Sequence, residues 1–223
     1  MISLLALITA RSGSLRLANK NALPFAGTSL LDIVVVEALR AERVSQVGLS
    51  TDSRDYLDIA RRNGLNESYI RPSALAGPEA TSAACVIDYL DWIKGNGGQP
   101  PSHVVLLQPT SPLRTARHID DAIATWIESG RASLVSVTPA APSENYIVMR
   151  RADGHLQRPP ADSGDHYVFD GSIYIAPVEM IRDTGRFWDE TSALYVTQYP
   201  RFFDIDTEAD FVAAAAVRQA QIS

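Results

Sequence analysis

The stretch Leu4-Leu5-Ala6-Leu7-Ile8-Thr9-Ala10-Arg11-Ser12-Gly13-Ser14-Leu15-Arg16-Leu17-Ala18-Asn19-Lys20-Asn21 decides the fold. Its first five residues form an uninterrupted apolar run, the mark of a strand buried on both faces, and such strands belong to parallel sheets covered by helices. The polar segment after it therefore leaves the carboxyl end of a central strand, where open α/β sheets bind ligands. It carries Arg11, Arg16 and Lys20, the hydroxyls of Ser12 and Ser14, and exposed backbone amides around Gly13, a donor set suited to polyphosphate. It matches neither G-x-x-x-x-G-K-[ST] nor G-x-G-x-x-G, so a solvated strand-to-helix turn is the competing reading. Context favours the ligand: a chain of net charge −6 that gathers three cations within ten positions has a local anion to hold.

Outward from this stretch, residues 29–43 fill one helical face with apolar side chains and residues 47–50 read as a second strand, completing a β-α-β unit. Asp52 and Ser53 read as caps for a helix over 54–63, with Gly64 as its stop. Tyr69-Ile70-Arg71-Pro72 reads as a short third strand, and Thr81-Ser82 opens a helix to residue 94. The strand His103-Val104-Val105-Leu106-Leu107 ends in Gln108-Pro109-Thr110-Ser111-Pro112-Leu113-Arg114-Thr115, where two prolines stiffen a loop offering Gln108, Thr110, Ser111 and Arg114. That loop alone reads equally as a rigid turn before a helix over 118–129. Two polar loops at one sheet edge predict a shared cleft.

Residues 134–137 give the next buried strand, and then the rhythm breaks. Residues 143–160 combine a hairpin (145–150, turn at Asp153-Gly154) with a proline-rich charged stretch, an insertion expected beside the cleft or at a subunit contact. Strands are expected over 166–176 and 194–199. Asp204 and Asp206 stand two apart on extended backbone, so both carboxylates face the same way, a common means of holding a hard divalent cation that also touches phosphate. The competing reading has Asp206 merely capping the last helix, which Thr207 opens with Asp210 as an acidic near-match to a capping box.

Composition sets outer bounds. With 223 residues, 46% of them hydrophobic, the chain can bury one α/β core, a single domain over 1–223 with an inserted subdomain at about 140–170. An isoelectric point near 5.2 argues against a general nucleic-acid or membrane-surface binder. Cys85 is the only cysteine, which removes intramolecular disulfides and thiolate metal clusters, and its apolar setting reads as helix core. The four histidines show no ligand spacing. No segment has the length and apolarity of a membrane span, and the amino terminus lacks a charged region ahead of its apolar run, so a cytoplasmic protein is expected.

Taken in order, residues 10–21, Ser50-Thr51-Asp52, Arg71-Pro72, residues 106–115, residues 170–175 and residues 203–210 resemble the acylneuraminate cytidylyltransferases, which make CMP-activated nonulosonic sugars such as CMP-sialic acid. The resemblance spans nearly the whole chain, and Leu106-Leu107-Gln108-Pro109-Thr110-Ser111-Pro112-Leu113-Arg114 is its most specific piece. It implies a Rossmann-like nucleotidyltransferase fold, a mostly parallel sheet with helices on both faces, a homodimer built partly by a projecting subdomain, and use of CTP with Mg²⁺. It further implies that Arg11 and Lys20 contact the CTP phosphates within the loop that also bears Ser14 and Arg16. Asn21, Arg71 and Ser82 would fix ribose and base, Gln108 and Tyr174 would touch the sugar, and Asp204 and Asp206 would be metal-binding and catalytic.

The chain also departs from the family. Leu15 then Arg16 stand where a lysine usually follows Gly-Ser, an arrangement shared with some relatives acting on pseudaminic or octulosonic acids. Asp170 replaces an amide before Gly171, which implies that Asp170 tunes the accepted sugar away from N-acetylneuraminate; the competing reading has it only stabilising the bend before Gly171. Arg158 is an approximate counterpart of the arginine that meets the sugar carboxylate. Three alternatives stay open: an octulosonate cytidylyltransferase, a glycosyltransferase using Asp204-Ile205-Asp206 as its metal site, and a catalytically silent nucleotide-binding protein.

Overall fold

The apolar run becomes β1 (Leu4–Ala10), and alternation sorts its side chains: Leu4, Ala6, Ile8 and Ala10 enter the core on one face of the sheet, Leu5 and Leu7 the core on the other. The computed structural model describes residues 2–14, 16–139, 149–150, 156–157, 166–197 and 204–222. After β1 come α1 (Leu30–Arg40), β2 (Gln46–Thr51), α2 (Arg54–Arg62), α3 (Ser82–Gly95), β3 (His103–Leu107), α4 (Ala116–Ser129) and β4 (Leu134–Pro139). Then follow β5 (Met149–Arg150), β6 (Leu156–Gln157), β7 (Tyr167–Pro177), α5 (Val178–Thr184), β8 (Ala193–Val196) and α6 (Glu208–Ile222). Six strands form one sheet in the order β2-β1-β3-β7-β4-β8. Buried residues of α1, α2 and α4 pack on one face, and those of α3 and α5 on the other.

The sheet is parallel except at β7, which runs antiparallel to both β3 and β4. Geometry explains the reversal: Pro139 at the end of β4 pairs with Tyr167 at the start of β7. The intervening chain thus leaves and re-enters at the same sheet edge, whereas a parallel neighbour would need a crossover back to the opposite edge. At β2 the sheet takes a glycine because α3 closes on it; a Cβ on Gly48 would sit 2.3 Å from the Tyr89 hydroxyl oxygen. That hydroxyl donates to buried Glu67 Oε2 at 2.5 Å.

Most helix starts follow the expected capping chemistry. Ser29, Ser53, Thr81 and Thr115 each accept a backbone N–H of the following turn, and Thr115 places the start of α4 at Ala116 rather than residue 118. Thr207 and Asp210 form a reciprocal box at α6: the Asp210 N–H donates to Thr207 Oγ1 at 3.3 Å and the Thr207 N–H to Asp210 Oδ2 at 2.7 Å. Asp206 is therefore not the cap. Asp52 is not one either, since Ser53 fills that role on α2.

The expected strand at Tyr69-Ile70-Arg71-Pro72 does not form. One backbone bond, from the Arg71 N–H to the Thr51 carbonyl at 2.8 Å, ties the segment to the end of β2, and Pro72 has no N–H to extend the ladder. The hairpin reading holds where it is described: β5 and β6 pair antiparallel as a separate two-stranded sheet. Its turn at Asp153-Gly154, most of the expected 140–170 subdomain, Leu15, Arg158 and residues 198–199 lie outside the described residues.

Candidate active site

The adjacent parallel strands β1 and β3 deliver their loops to the same edge. Between them lies a cavity of about 380 Å³ lined by Arg11, Ser14, Arg16, Lys20 and Asn21 of the first loop, Gln108 and Thr110 of the second, Arg71, Ser82, Asp204 and Asp206. Residues far apart in the chain, some singled out on their chemistry and others (Asn21, Arg71, Ser82) on the family resemblance, thus share one concave surface. Thr9, Leu75, Gly77 and Cys85 complete parts of the wall without having been read as site residues. Cys85 keeps its expected core character: it is 2% exposed, and burial pushes its thiol pKa up, away from thiolate chemistry.

Local contacts hold the first loop open. The Ser12 N–H and hydroxyl donate to the two carboxylate oxygens of Asp52, each at 2.8 Å, so Asp52 braces the loop from the end of β2. The Asn21 side-chain amide donates to the Arg11 carbonyl at 3.2 Å, and Arg11 Nη1 donates to the Gly77 carbonyl at 3.1 Å. Asn19, in the left-handed region at φ 58, accepts from the Tyr56 hydroxyl at 3.2 Å. The buried wall keeps hydrogen-bonding capacity in reserve, because Asn21 Oδ1 and Arg71 Nε have no partner among the described residues. Arg71 is otherwise fixed by donation to the Ser50 and Leu75 carbonyls. Orphaned groups of this kind are costly in a dry interior and suit a polar ligand.

The aspartate pair is aimed by the residue between its members. Ile205 is fully buried against Phe25, Leu30 and Ile33, and its N–H donates to the Thr110 carbonyl at 3.0 Å. Asp204 and Asp206 are thereby left on the cavity side. Arg16 pairs with Asp206 Oδ2; Lys20 Nζ lies 3.7 Å from Asp206 Oδ1 and donates to the Ile205 carbonyl. Desolvation by the surrounding wall pushes the Asp204 carboxyl up from its ordinary value, a hydrogen bond with Thr110 opposes this, and the negative charge of Asp206 adds to it. For Lys20 burial lowers the pKa, while Asp206 and Asp204 pull it back upward.

Arg114, expected to offer its side chain to the cleft, is instead buried at 2% exposure. It donates to the Ser172 carbonyl at 2.6 Å and the Gln108 carbonyl at 2.9 Å, clamping the second loop to β7. Burial lowers its pKa to about 10, with Asp170 and Glu37 acting in the opposite direction. Ser111 is buried too.

A second cavity of about 470 Å³ adjoins the first through their shared residues Ser82 and Gln108. Tyr174 lines it together with Leu106, Arg186, Phe187 and Trp188. The last three escape sequence reading because they occupy an irregular turn after α5, with no periodicity or motif; the adjacent aromatics after Gly185 are the only signal. Phe169 packs against Trp188 in a tilted arrangement, ring centroids 4.6 Å apart.

Asp170 is corrected by the structure. It is 1% exposed and lines neither cavity. Its Oδ1 accepts from the Ser136 hydroxyl and from the Ser172 N–H at 2.9 Å, and its Oδ2 from the Thr197 hydroxyl at 2.6 Å. The carboxylate that was expected to face the sugar is consumed in joining β7 to β4 and to the residue after β8. Asp170→Ala should therefore cost about 3 kcal/mol, the scale for breaking a buried, charge-assisted network. Denaturant unfolding would measure this, and the ranking of sugar substrates should stay unchanged; a reordered ranking with intact stability would return Asp170 to the sugar site.

A cytidylyltransferase family model matches residues 5–153. The CMP-N,N'-diacetyllegionaminic acid synthase of Legionella pneumophila is 32% identical over 217 residues, covering 93% of each chain. The N-acylneuraminate cytidylyltransferase of Escherichia coli is 31% identical over an alignment that covers 97% of this chain and 52% of that protein, so this chain spans about half its length. Among solved structures, CMP:2-keto-3-deoxy-manno-octonic acid synthetase complexed with CTP superposes with a TM-score of 0.74 over 99% of this chain and 100% of that one. At 14% identity, that likeness establishes the fold.

Proposed function

Because the chain belongs to the cytidylyltransferase family, we propose that it transfers CMP from CTP to the anomeric hydroxyl of a nonulosonic acid and releases pyrophosphate. The observation that carries this reading is the pair of adjoining cavities: a cationic one containing the aspartate pair, opening through Gln108 and Ser82 onto an aromatic one. The first suits a nucleoside triphosphate and the second a sugar. The relatives named for legionaminic and N-acylneuraminic acids, at 32% and 31% identity, favour a nonulosonate over an octulosonate, whose synthetase shares the fold at 14%.

In this reading Arg11, Ser14, Arg16 and Lys20 bind the triphosphate, Asn21, Arg71 and Ser82 fix ribose and base, and Gln108 and Tyr174 orient the sugar. Asp204 and Asp206 would hold Mg²⁺. The donor set fits, because Mg²⁺ takes one or two carboxylates and completes its shell with water and phosphate oxygens, and the described residues add no third acidic, histidine or cysteine donor to the pair. When bound, the ion would supply charge neutralisation at the phosphate oxygens. The sugar's anomeric oxygen bonds to the α-phosphorus as the bond to the bridging oxygen breaks, and pyrophosphate leaves with that electron pair. Arg11 and Lys20 offset the charge gathering on it, and one aspartate of the pair accepts the hydroxyl proton.

We read the active form as a cytoplasmic homodimer. Exposed Leu194 and Val196 on the edge strand β8, with Tyr167 and Phe169 on β7, support an apolar face that a second copy would cover. The reaction is tested by following pyrophosphate release from CTP with a panel of nonulosonic acids and an octulosonate. Release with at least one nonulosonate is expected; release with the octulosonate alone would assign the alternative, and release with none would overturn the proposal.

A further inference from the structure

We propose that Arg186 binds the carboxylate of the sugar substrate, an assignment that rests on the transferase reading above. Arg186, an exposed side chain, is the only charged residue among the described residues that line the aromatic cavity. Its guanidinium has no hydrogen bond or ion pair among the described residues, whereas Arg16, Arg62 and Arg182 each have a carboxylate partner. The turn that presents it is fixed on both sides. Gly185, in the left-handed region at φ 66, donates its N–H to the Ile181 carbonyl at 3.0 Å, and the Arg186 N–H donates to Thr184 Oγ1 at 3.1 Å. Phe187, the next residue, is 8% exposed and joins the core under α3 and α5.

Electrostatics supplies the need. A sugar acid carries its negative charge into a protein of net charge −6 and toward a site holding Asp204 and Asp206, so its binding requires a cation not already neutralised. Gln108 and Tyr174 orient by hydrogen bonds without charge. The planar guanidinium fork matches a carboxylate in two parallel bonds, and Phe187 and Trp188 beside it offer apolar wall to the body of the sugar.

The experiment compares Arg186→Ala, Arg186→Lys and Arg158→Ala, using the acid from the panel that the wild-type enzyme turns over best and the methyl ester of that acid. Arg186→Ala is expected to raise KM for the acid by about 10- to 100-fold, the scale of a lost charge-assisted pair, with KM for CTP and for the ester within about twofold of wild type. Arg186→Lys should recover part of the loss, since an ammonium keeps the charge without the fork. An unchanged KM for the acid, or equal losses for acid and ester, would overturn the assignment, as would an acid-selective loss in Arg158→Ala alone. A wild-type protein that turns over no sugar acid at all would instead bring down the transferase reading on which the assignment stands.

Discussion

Asp206→Asn is expected to lower turnover by about a hundredfold or more, the usual consequence of deleting a charge that acts in the transition state. The substitution keeps the side chain's shape, removes the negative charge and exchanges one accepting oxygen for an NH2 donor, although Arg16 and Lys20 each face one carboxylate oxygen. Stability should barely change: the Arg16–Asp206 pair is 67% and 51% exposed at its side chains, a setting in which an ion pair contributes about 0–1 kcal/mol. The backbone there is held independently, since the Asp206 N–H donates to Asp210 Oδ2 at 3.1 Å and Ile205 is buried. Initial rates of pyrophosphate release across a Mg²⁺ titration, alongside a thermal melt, separate the two effects. A variant melting like wild type with turnover reduced and Mg²⁺ demand raised is the expected outcome; near-wild-type turnover would remove Asp206 from the machinery.

What could be read from the chain follows from which signals are local. The buried strand β1, its cationic loop and the second loop after β3 were legible because burial on both faces leaves an unbroken apolar run, and because polar residues at strand ends mark the ligand edge. The aspartate pair was legible as an alternation, and the burial of Ile205 shows the physical basis of that alternation. Tyr69-Ile70-Arg71-Pro72 misled because apolar content was read without a partner strand. Asp170 misled for a related reason: a carboxylate beside a glycine looks the same in sequence whether it meets ligand or three donors of its own fold, and only the positions of Ser136, Ser172 and Thr197 decide. The aromatic cavity was illegible in its lower half, since Arg186, Phe187 and Trp188 belong to a turn whose neighbours are set by the reversed strand β7 rather than by any local pattern.

The structure also sharpens what Lys20 does, and with it the second large effect. Its ammonium donates to the Ile205 carbonyl and lies 3.7 Å from Asp206 Oδ1, with its side chain only 14% exposed. A triphosphate therefore meets a cation already positioned by the segment that carries the acidic pair. Lys20→Ala should weaken CTP binding by about 1–3 kcal/mol, the range for a charge-assisted hydrogen bond, and CMP binding by less, because CMP lacks the β- and γ-phosphates that the loop is read to hold. Part of the loss will come from the loop itself, since removing the Lys20 tether leaves the loop held to the Ile205 segment by the exposed Arg16–Asp206 pair. That part falls on both nucleotides alike, so the difference between CTP and CMP, measured by calorimetry on the same variant, isolates the phosphate contact. Equal losses for the two nucleotides would reduce Lys20 to a tether and move the triphosphate toward Arg11 and Arg16.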